Sequence, residues 1–340
     1  MGFDDVYQSM GRSMVLKIAN DEIEKYGSWQ MGRDSYGDFL EEKGLFDCFV
    51  REGEEAPTTL DPDTEVMDGH FTSIAIEKMN TYKDEDPFFM WINFSGPHLP
   101  FNVPSEYTRK IGFRHVPEVI SPSCEAFEVP KELQPSLVPK WVSDMRGYRR
   151  RYMGALAYMD DQVGRIVNFI RNSEFGDNTM IVFFSDHGIM TGDHGLTGKS
   201  TLYKEVLNPA LIVNYPKEYK AGRVETTVEL IDLGKTVLDI GNASEEILNG
   251  VPNGNSLVPL LEREGQFMGN GIGISEIQGI QSAFNGEFKY INHPETPILF
   301  NLINDPNETV NVITQHPEIA NHLNEAIEQW KVSSGPILYE

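Results

Sequence analysis

The sequence predicts an α/β protein in which helices sandwich a mainly parallel sheet. Residues 87–94 are continuously apolar, as expected of a strand that is buried on both faces. Residues 147–171 carry apolar side chains at helical spacing, and residues 179–184 form a second apolar run. A strand, a helix and a strand in this order are typical of a layered α/β fold with parallel strands.

Shorter signals predict the other elements of this first part of the chain. Asp68 is placed to cap a helix that has one apolar face. Residues 102–146 contain many prolines and little periodicity, so we expect a long excursion that lines a site or covers its mouth. A third apolar run covers residues 210–213, and a helix is predicted over residues 230–240.

The pattern changes after residue 263, and this change predicts two parts. Residues 1–263 are the α/β domain, and residues 264–340 form a small C-terminal subdomain with an antiparallel sheet and a terminal helix. Asn285-Gly286 is a preferred dipeptide of a tight hairpin turn. The predicted strands and helix of this subdomain are residues 271–277, 288–291, 298–302 and 317–331.

Composition and charge exclude several classes of protein. The 340 residues contain 28 Lys plus Arg and 52 Asp plus Glu, which gives a formal net charge of −24. A surface this acidic repels phosphate backbones, so we expect no nucleic-acid partner. No apolar run approaches the roughly 20 residues of a membrane span. The first residues lack the features of a signal peptide, and the localisation stays open. Cys48 and Cys124 are too few for a disulfide framework or a zinc cluster.

Polar residues follow the two predicted strands at their carboxyl ends, where open parallel sheets bind ligands. Asp186 and His187 come directly after one strand, and His98 follows the other. The Asp-His pair offers a carboxylate oxygen and an imidazole nitrogen to a cation. Hard cations favour the oxygen, and softer metals favour the nitrogen. The same pattern is compatible with a structural role, in which Asp186 caps the following turn and His187 packs.

A glycine-rich segment over residues 192–201 contains a lysine that is suited to an anion. Lys199 provides a mobile positive charge, and the flanking glycines allow tight backbone turns. The alternative is an ordinary solvated lysine on a surface loop. For Asp193 and His194 we expect a role in fixing the loop rather than contact with a substrate.

Two segments, in this order along the chain, resemble the sulfatase family of the alkaline phosphatase superfamily. They are Phe-Phe-Met-Trp-Ile-Asn-Phe-Ser-Gly-Pro-His-Leu-Pro-Phe (88–101) and the segment 185–205, which begins Ser-Asp-His-Gly. Supporting matches lie at residues 158–165, 255–261 and 299–308. The resemblance covers nearly the whole chain and implies an alkaline phosphatase-like fold.

The resemblance also implies a role for each candidate residue. Asp186 and His187 match the divalent-cation ligands; the cation is usually calcium, with magnesium and manganese as alternatives. Lys199 matches the lysine that binds sulfate, and His98 matches the histidine that contacts sulfate and the leaving-group oxygen. These two are therefore the implied catalytic and substrate-binding residues. The implied substrate is a sulfated small molecule or carbohydrate.

The sequence departs from the family pattern at its beginning. Family members start with a strand that carries an Asp-Asp pair, followed by Cys-x-Pro-x-Arg and then Gly-Lys-Trp-His. None of these is present, and neither Cys48 nor Cys124 fits the motif whose cysteine becomes formylglycine. Asp4-Asp5 matches a later loop and Asp160-Asp161 lies in a predicted helix, so we assign neither pair to the metal. The chain resembles a sulfatase that starts after its first third.

Three functions remain open on this basis. The first is a sulfuric ester hydrolase, or a part of one that another polypeptide completes. The second is an inactive fragment that keeps the cation and anion ligands but has no nucleophile. The third is a related metal-dependent phosphodiesterase or phosphonate hydrolase. Because a missing segment would expose sheet edges and an apolar face, we also expect the isolated chain to form homo-oligomers or to aggregate unless a partner covers that face.

Overall fold

A computed structural model describes residues 5–53, 58–83, 87–112, 115–121, 144–251, 253–263 and 267–334. The chain forms two compact units, which are presented separately below. The first unit consists of Met1–Glu118 and Asp144–Thr179, and the second of Val119–Ser143 and Met180–Glu340. The predicted domain division at residue 263 stays a prediction.

The first unit is helical in its described residues. Its longest helix matches the periodic segment of the sequence, because the predicted span 147–171 lies inside α6. The Asp34 carboxylate caps α2 by accepting the backbone N–H groups of Tyr36 and Gly37. The helices are α1 (Arg12–Tyr26), α2 (Ser35–Glu42), α3 (Phe46–Glu52), α4 (Met67–Met79), α5 (Ser105–Lys110) and α6 (Met145–Arg171).

Tyr158 attaches α6 to the start of α4. Its buried hydroxyl donates to the carbonyl of Pro62 at 2.7 Å and accepts the N–H of Gly69 at 2.9 Å. A Cβ atom at Gly69 would lie 2.0 Å from that Pro62 carbonyl oxygen, so only glycine allows this approach. The contact fixes the first turn of α4, which includes Asp68.

The second unit contains all the strands assigned in the described residues. They form a ribbon of β1 and β4, a shorter ribbon of β2 and β3, and a four-stranded sheet in the order β5-β6-β7-β8. The strands are β1 (Ile181–Phe184), β2 (Met190–Thr191), β3 (Thr197–Gly198), β4 (Leu211–Asn214), β5 (Gly273–Ile277), β6 (Ile280–Phe284), β7 (Phe288–Asn292) and β8 (Ile298–Asn301). The helices are α7 (Lys204–Leu207), α8 (Asp232–Ile240), α9 (Glu245–Gly250), α10 (Val258–Glu262) and α11 (Pro317–Ser334).

The predicted mixed α/β class is confirmed, but the expectation of a mainly parallel sheet is wrong for the described strands. Every pairing among them is antiparallel, including β1 with β4, where Ile181 lies opposite Asn214. Residues 87–94 form no strand, and Phe89 and Trp91 are 55% and 60% exposed. β1 is half-buried rather than buried on both faces. A run of apolar residues indicates extended chain, but it does not specify which strand pairs with it or in which direction.

The C-terminal sheet agrees with most of its predicted elements. Asn285-Gly286 forms the turn between β6 and β7, and the Asn285 side chain accepts the N–H groups of Glu287 and Phe288. Strand β6 was not predicted, because Ile-Gln-Ser-Ala-Phe has no strong alternation. Helix α11 covers the sheet, with Leu323 and Ile327 fully buried against it.

The glycine-rich segment and the C-terminal sheet share one core. Met190, Leu202 and Tyr203 are buried in the same cluster as Ile298 and Phe300 of β8. This packing attaches the segment that contains Lys199 to the four-stranded sheet. In the part of the chain that the structure describes, none of the helices combines the length and apolar character needed to cross a membrane.

Candidate functional site

Asp186 and His187 lie directly after the last residue of β1. The Asp186 side chain is 81% exposed, and its Oδ2 atom lies 3.3 Å from Nε2 of His187. Asp186 Oδ1 accepts the N–H of His187 at 2.9 Å, so the side chain also supports its own turn. His187 Nδ1 lies 2.8 Å from the carbonyl of Gly188. Because a carbonyl can only accept, Nδ1 carries the proton and Nε2 of the neutral ring is an acceptor.

Lys199 meets the same imidazole from the glycine-rich segment. It follows β3, which pairs with β2 so that Gly198 lies opposite Met190. Its Nζ atom lies 2.9 Å from Nε2 of His187 and is exposed at the surface. The structure therefore brings Asp186, His187 and Lys199 together at one exposed point of the second unit.

The backbone beneath His187 is fixed by a close contact with α7. The N–H of Gly188 donates to the carbonyl of Val206 at 2.8 Å. A Cβ atom at position 188 would lie 1.9 Å from the backbone oxygen of Glu205, so the two segments approach as only glycine allows. Burial raises the pKa of the Glu205 carboxyl.

Asp193 and His194 have the positions expected of residues that fix the loop. Both are buried, and the Asp193 carboxylate accepts the N–H of Ile120 at 2.8 Å. The N–H of His194 donates to the carbonyl of the same Ile120, and its ring stacks on Tyr203 at 3.9 Å. Burial lowers the pKa of the His194 imidazole.

His98 belongs to the first unit and is exposed. Its Nδ1 atom lies 2.6 Å from the carbonyl of Leu99, which again places the ring proton on Nδ1. The hydroxyl of Ser13 donates to the same carbonyl at 3.1 Å. The ring orientation leaves Nε2 as the nitrogen that is available to a ligand.

Asp68 supports the loop that leads to His98, and the prediction that it caps α4 is wrong. It is the second residue of the helix, and its two oxygens accept the N–H groups of Ser95 at 2.7 Å and Gly96 at 2.9 Å. Burial raises the pKa of the Asp68 carboxyl to about 6, and these two hydrogen bonds oppose the shift. The sequence does not distinguish an acidic residue that caps its own helix from one that accepts backbone N–H groups of a distant loop.

The other acidic pairs and the cysteines are described only in part. Asp160 and Asp161 lie within α6, as predicted. Asp5 forms an ion pair with Lys78, while Asp4 is outside the described residues. The Cys48 thiol contacts the side chains of Glu52 and Thr59, and Cys124 is also outside the described residues.

The fold is similar to that of solved hydrolase structures. The phosphonate monoester hydrolase of Agrobacterium radiobacter superposes with a TM-score of 0.72 at 21% identity, covering 89% of this chain and 70% of that structure. The model of the Sulfatase family matches residues 9–243. This match covers more than half of the sequence, and the chain belongs to the sulfatase family.

Individual relatives share limited identity with the chain. A sulfatase of Formosa agariphila is 23% identical over 328 residues, which is 90% of this chain and 63% of that protein. An N-acetylglucosamine-6-O-sulfatase of Bacteroides thetaiotaomicron is 36% identical over 120 residues, 35% of this chain and 21% of that protein. The chain thus spans less than two thirds of the length of these relatives.

Sulfatases are generally metal-dependent, and the donors in the cluster fit part of a cation site. Asp186 and His187 present an oxygen and a nitrogen 3.3 Å apart at an exposed position. No group of three His, Cys, Asp or Glu side chains with metal-binding geometry occurs among the described residues. The ammonium of Lys199 contacts the same imidazole nitrogen. The pair therefore offers two potential donors, and a complete coordination shell would need further donors.

Proposed function

We propose that this chain provides the cation- and sulfate-binding part of a hydrolase of sulfate esters. The observation that supports the proposal is the cluster of Asp186, His187 and Lys199, within which Lys199 Nζ and His187 Nε2 are 2.9 Å apart. Family membership alone would be compatible with a decayed site. The cluster adds to family membership an observed contact between groups on two different segments.

The roles follow from the charges of sulfate ester cleavage. Negative charge develops on the leaving oxygen as the S–O bond breaks, and preorganised positive charge stabilises it. The Lys199 ammonium binds the sulfate oxygens. For His98 the resemblance to sulfatases implies contact with the leaving-group oxygen; proton donation from Nε2 requires the imidazolium form, because the neutral ring has its proton on Nδ1. Asp186 and His187 would hold a divalent cation, with calcium as the first expectation, and such a cation would add Lewis-acid stabilisation of the anion.

The formylglycine nucleophile does not fit the residues of this chain. Cys48 lies in α3 and is followed by Phe49-Val50-Arg51, and the 340 residues contain no Cys-x-Pro-x-Arg. We therefore derive no attacking step from this chain. We propose that another segment supplies the nucleophile; the alternative is a fragment that binds the anion without turning it over.

We propose a sulfated carbohydrate as the substrate class. The support is the relative from Bacteroides thetaiotaomicron, whose name describes a 6-O-sulfatase of N-acetylglucosamine and which shares 36% identity over its 120-residue match. Sugar sulfates have a poor leaving group, so their cleavage needs a proton, for which the His98 imidazolium is the proposed donor, and the positive charges described above.

Binding of inorganic sulfate by the 340-residue chain tests the binding site directly. In calorimetric titrations with and without calcium chloride, we expect Lys199→Met to weaken sulfate binding about tenfold or more, since one charge-assisted contact is lost. Lys220→Met removes an exposed lysine of the same unit and is the matched control. Equal sulfate affinity in the wild type and in Lys199→Met would refute the assignment.

A comparison of substrates tests the reaction class. We expect no turnover of 4-nitrophenyl sulfate by the chain alone, and turnover when a segment with Cys-x-Pro-x-Arg is joined to it. Turnover by the chain alone would contradict the proposed absence of a nucleophile. The structural similarity to a phosphonate monoester hydrolase keeps the third function open. Preference of the completed enzyme for a phosphonate monoester or a phosphate diester would favour it.

We also propose that the chain associates with itself through exposed apolar residues. Ile212 of β4 is 59% exposed, and Trp91 in the first unit is 60% exposed. Exposed apolar side chains, and strands at the edge of a sheet, favour association. Sedimentation velocity at micromolar concentration tests this, and a monodisperse monomer would contradict it.

A further inference from the structure

We propose that the buried Lys289–Glu308 ion pair is a positioning device for Lys199 and His187. This inference rests on the proposed function for its significance, but its geometry is independent of that function. Both charged residues lie in the C-terminal part of the chain, whereas the two residues that they position lie on segments near β1 and β3.

The pair is enclosed in the core of the second unit. The side chain of Lys289, on β7, is 3% exposed, and that of Glu308, seven residues after β8, is 0% exposed. The Lys289 ammonium also faces the rings of Tyr203 and Phe300, with its Nζ atom 5.7 Å and 5.6 Å from their centroids. Charged groups are rarely buried this deeply unless they are paired and hydrogen-bonded.

Both members of the pair bind the backbone of the segment that follows Lys199. Lys289 Nζ donates to the carbonyl of Leu202 at 2.6 Å. Glu308 Oε2 accepts the N–H of Lys204 at 2.8 Å. One charge therefore fixes a carbonyl and the other fixes an N–H, only two residues apart. Apolar packing alone has no such directional effect on a backbone.

Backbone hydrogen bonds connect this fixed segment to Lys199, which is proposed to bind the anion, and to the residue after His187, which is proposed to bind the cation. The N–H of Thr201 donates to the carbonyl of Lys199 at 2.9 Å, which closes a tight turn over residues 199–201, directly before Leu202. On the other side, Val206 accepts the N–H of Gly188, the residue after His187. The 2.9 Å contact between Lys199 and His187 thus depends on where residues 201–206 are held.

The backbone of Glu308 is consistent with a positional requirement. Its φ angle is 55°, in the left-handed region that side-chain-bearing residues rarely adopt. Such conformations persist where the surrounding structure over-determines them, and they concentrate at functional sites. This position also gives a role to the 299–308 segment, which the resemblance to sulfatases identified without assigning it one.

The experiment separates positioning from stability with two variants of the full 340-residue chain. Glu308→Gln keeps an oxygen that can accept the Lys204 N–H but removes the charge that pairs with Lys289. The double variant Lys289→Met/Glu308→Leu replaces the pair with apolar side chains, a change that often preserves folding. Glu318→Gln and Lys331→Met, two charge removals on the exposed face of α11, are the matched controls.

Two measurements are made on each folded variant. The first is the 15N chemical shift of the His187 imidazole without added sulfate, which reports the contact with Lys199. The second is the dissociation constant for inorganic sulfate. We expect a changed His187 shift and an about tenfold weaker sulfate affinity in the double variant, because small displacements of binding groups have large effects. The controls should match the wild type.

The outcomes distinguish this inference from the proposed function. A folded double variant with the wild-type His187 shift overturns the positioning role, whatever the sulfate affinity. If the wild type binds no sulfate but the double variant still changes the His187 shift, the proposed function fails and the positioning role stands. If Glu308→Gln and the double variant lose thermal stability while both readouts stay unchanged, the pair acts on stability alone and the inference is wrong.

Discussion

Replacement of Asp68 by asparagine tests whether a buried carboxylate supports the His98 loop. The carboxyl is buried in the first turn of α4, and burial raises its pKa to about 6 from the usual 3.8. Asparagine has nearly the same shape but cannot ionise. Its NH₂ group would face one of the two backbone N–H groups, of Ser95 or Gly96, that the carboxylate now accepts.

The magnitude follows from the linkage between protonation and folding. Because the folded state favours the protonated acid, the stabilisation is complete below pH 3.8 and is lost as the pH rises through 6. Two pKa units correspond to about 3 kcal/mol, of which about 1.4 kcal/mol falls between pH 5 and pH 8. Asparagine cannot ionise, so the variant does not lose stability in this way as the pH rises. It lacks one hydrogen bond at every pH, which costs about 1–3 kcal/mol.

Urea unfolding of the wild type and of Asp68→Asn at pH 5 and pH 8 measures the effect. The stability advantage of the wild type over the variant should shrink by about 1.4 kcal/mol from pH 5 to pH 8. Comparing the two proteins at the same pH removes the contribution of the other carboxylates, which titrate in both. Asp21→Asn, at an exposed position on α1, is the control and should give one constant difference. If the stability advantage of the wild type over Asp68→Asn stayed constant or grew from pH 5 to pH 8, the raised pKa of Asp68 would be refuted.

Two further substitutions test the contacts that position the site and its supporting helix. Gly188→Ala places a Cβ atom 1.9 Å from the backbone oxygen of Glu205. We therefore expect weaker sulfate binding and a lower unfolding temperature, both measured by calorimetry. Wild-type values for both would contradict the close approach. Tyr158→Phe removes a hydroxyl that bridges Pro62 and Gly69 at 2.7 Å and 2.9 Å; the free energy of unfolding should fall by about 1–3 kcal/mol in urea titrations. A loss below about 0.5 kcal/mol would show that water replaces the bridge.

The elements that depend only on neighbouring residues were predicted correctly from the sequence. Helix α6 follows from apolar spacing, and the β6–β7 turn follows from Asn285-Gly286, because both depend on neighbouring residues. The pairing of β1 with β4 depends on residues about thirty positions apart, and an apolar run alone does not give the direction of its partner. For this reason the class was predicted correctly and the strand direction was not.

The candidate site was predictable where family motifs name the residue, and not where tertiary contacts decide its role. Asp186, His187 and Lys199 were selected from their motifs, and the structure brings them together. The functions of Asp68 and Glu308 depend on backbone groups about 30 and 100 residues away, so neither spacing nor composition reveals them.

The shared acceptor on His187 has a consequence for how two ligands would affect each other's binding. Nε2 offers a single lone pair, and the Lys199 ammonium occupies it at 2.9 Å. Under the proposed function, a cation that took this lone pair would displace the ammonium and leave it available to a sulfate. Cation and sulfate binding would then be thermodynamically linked, each raising the affinity for the other by the same factor.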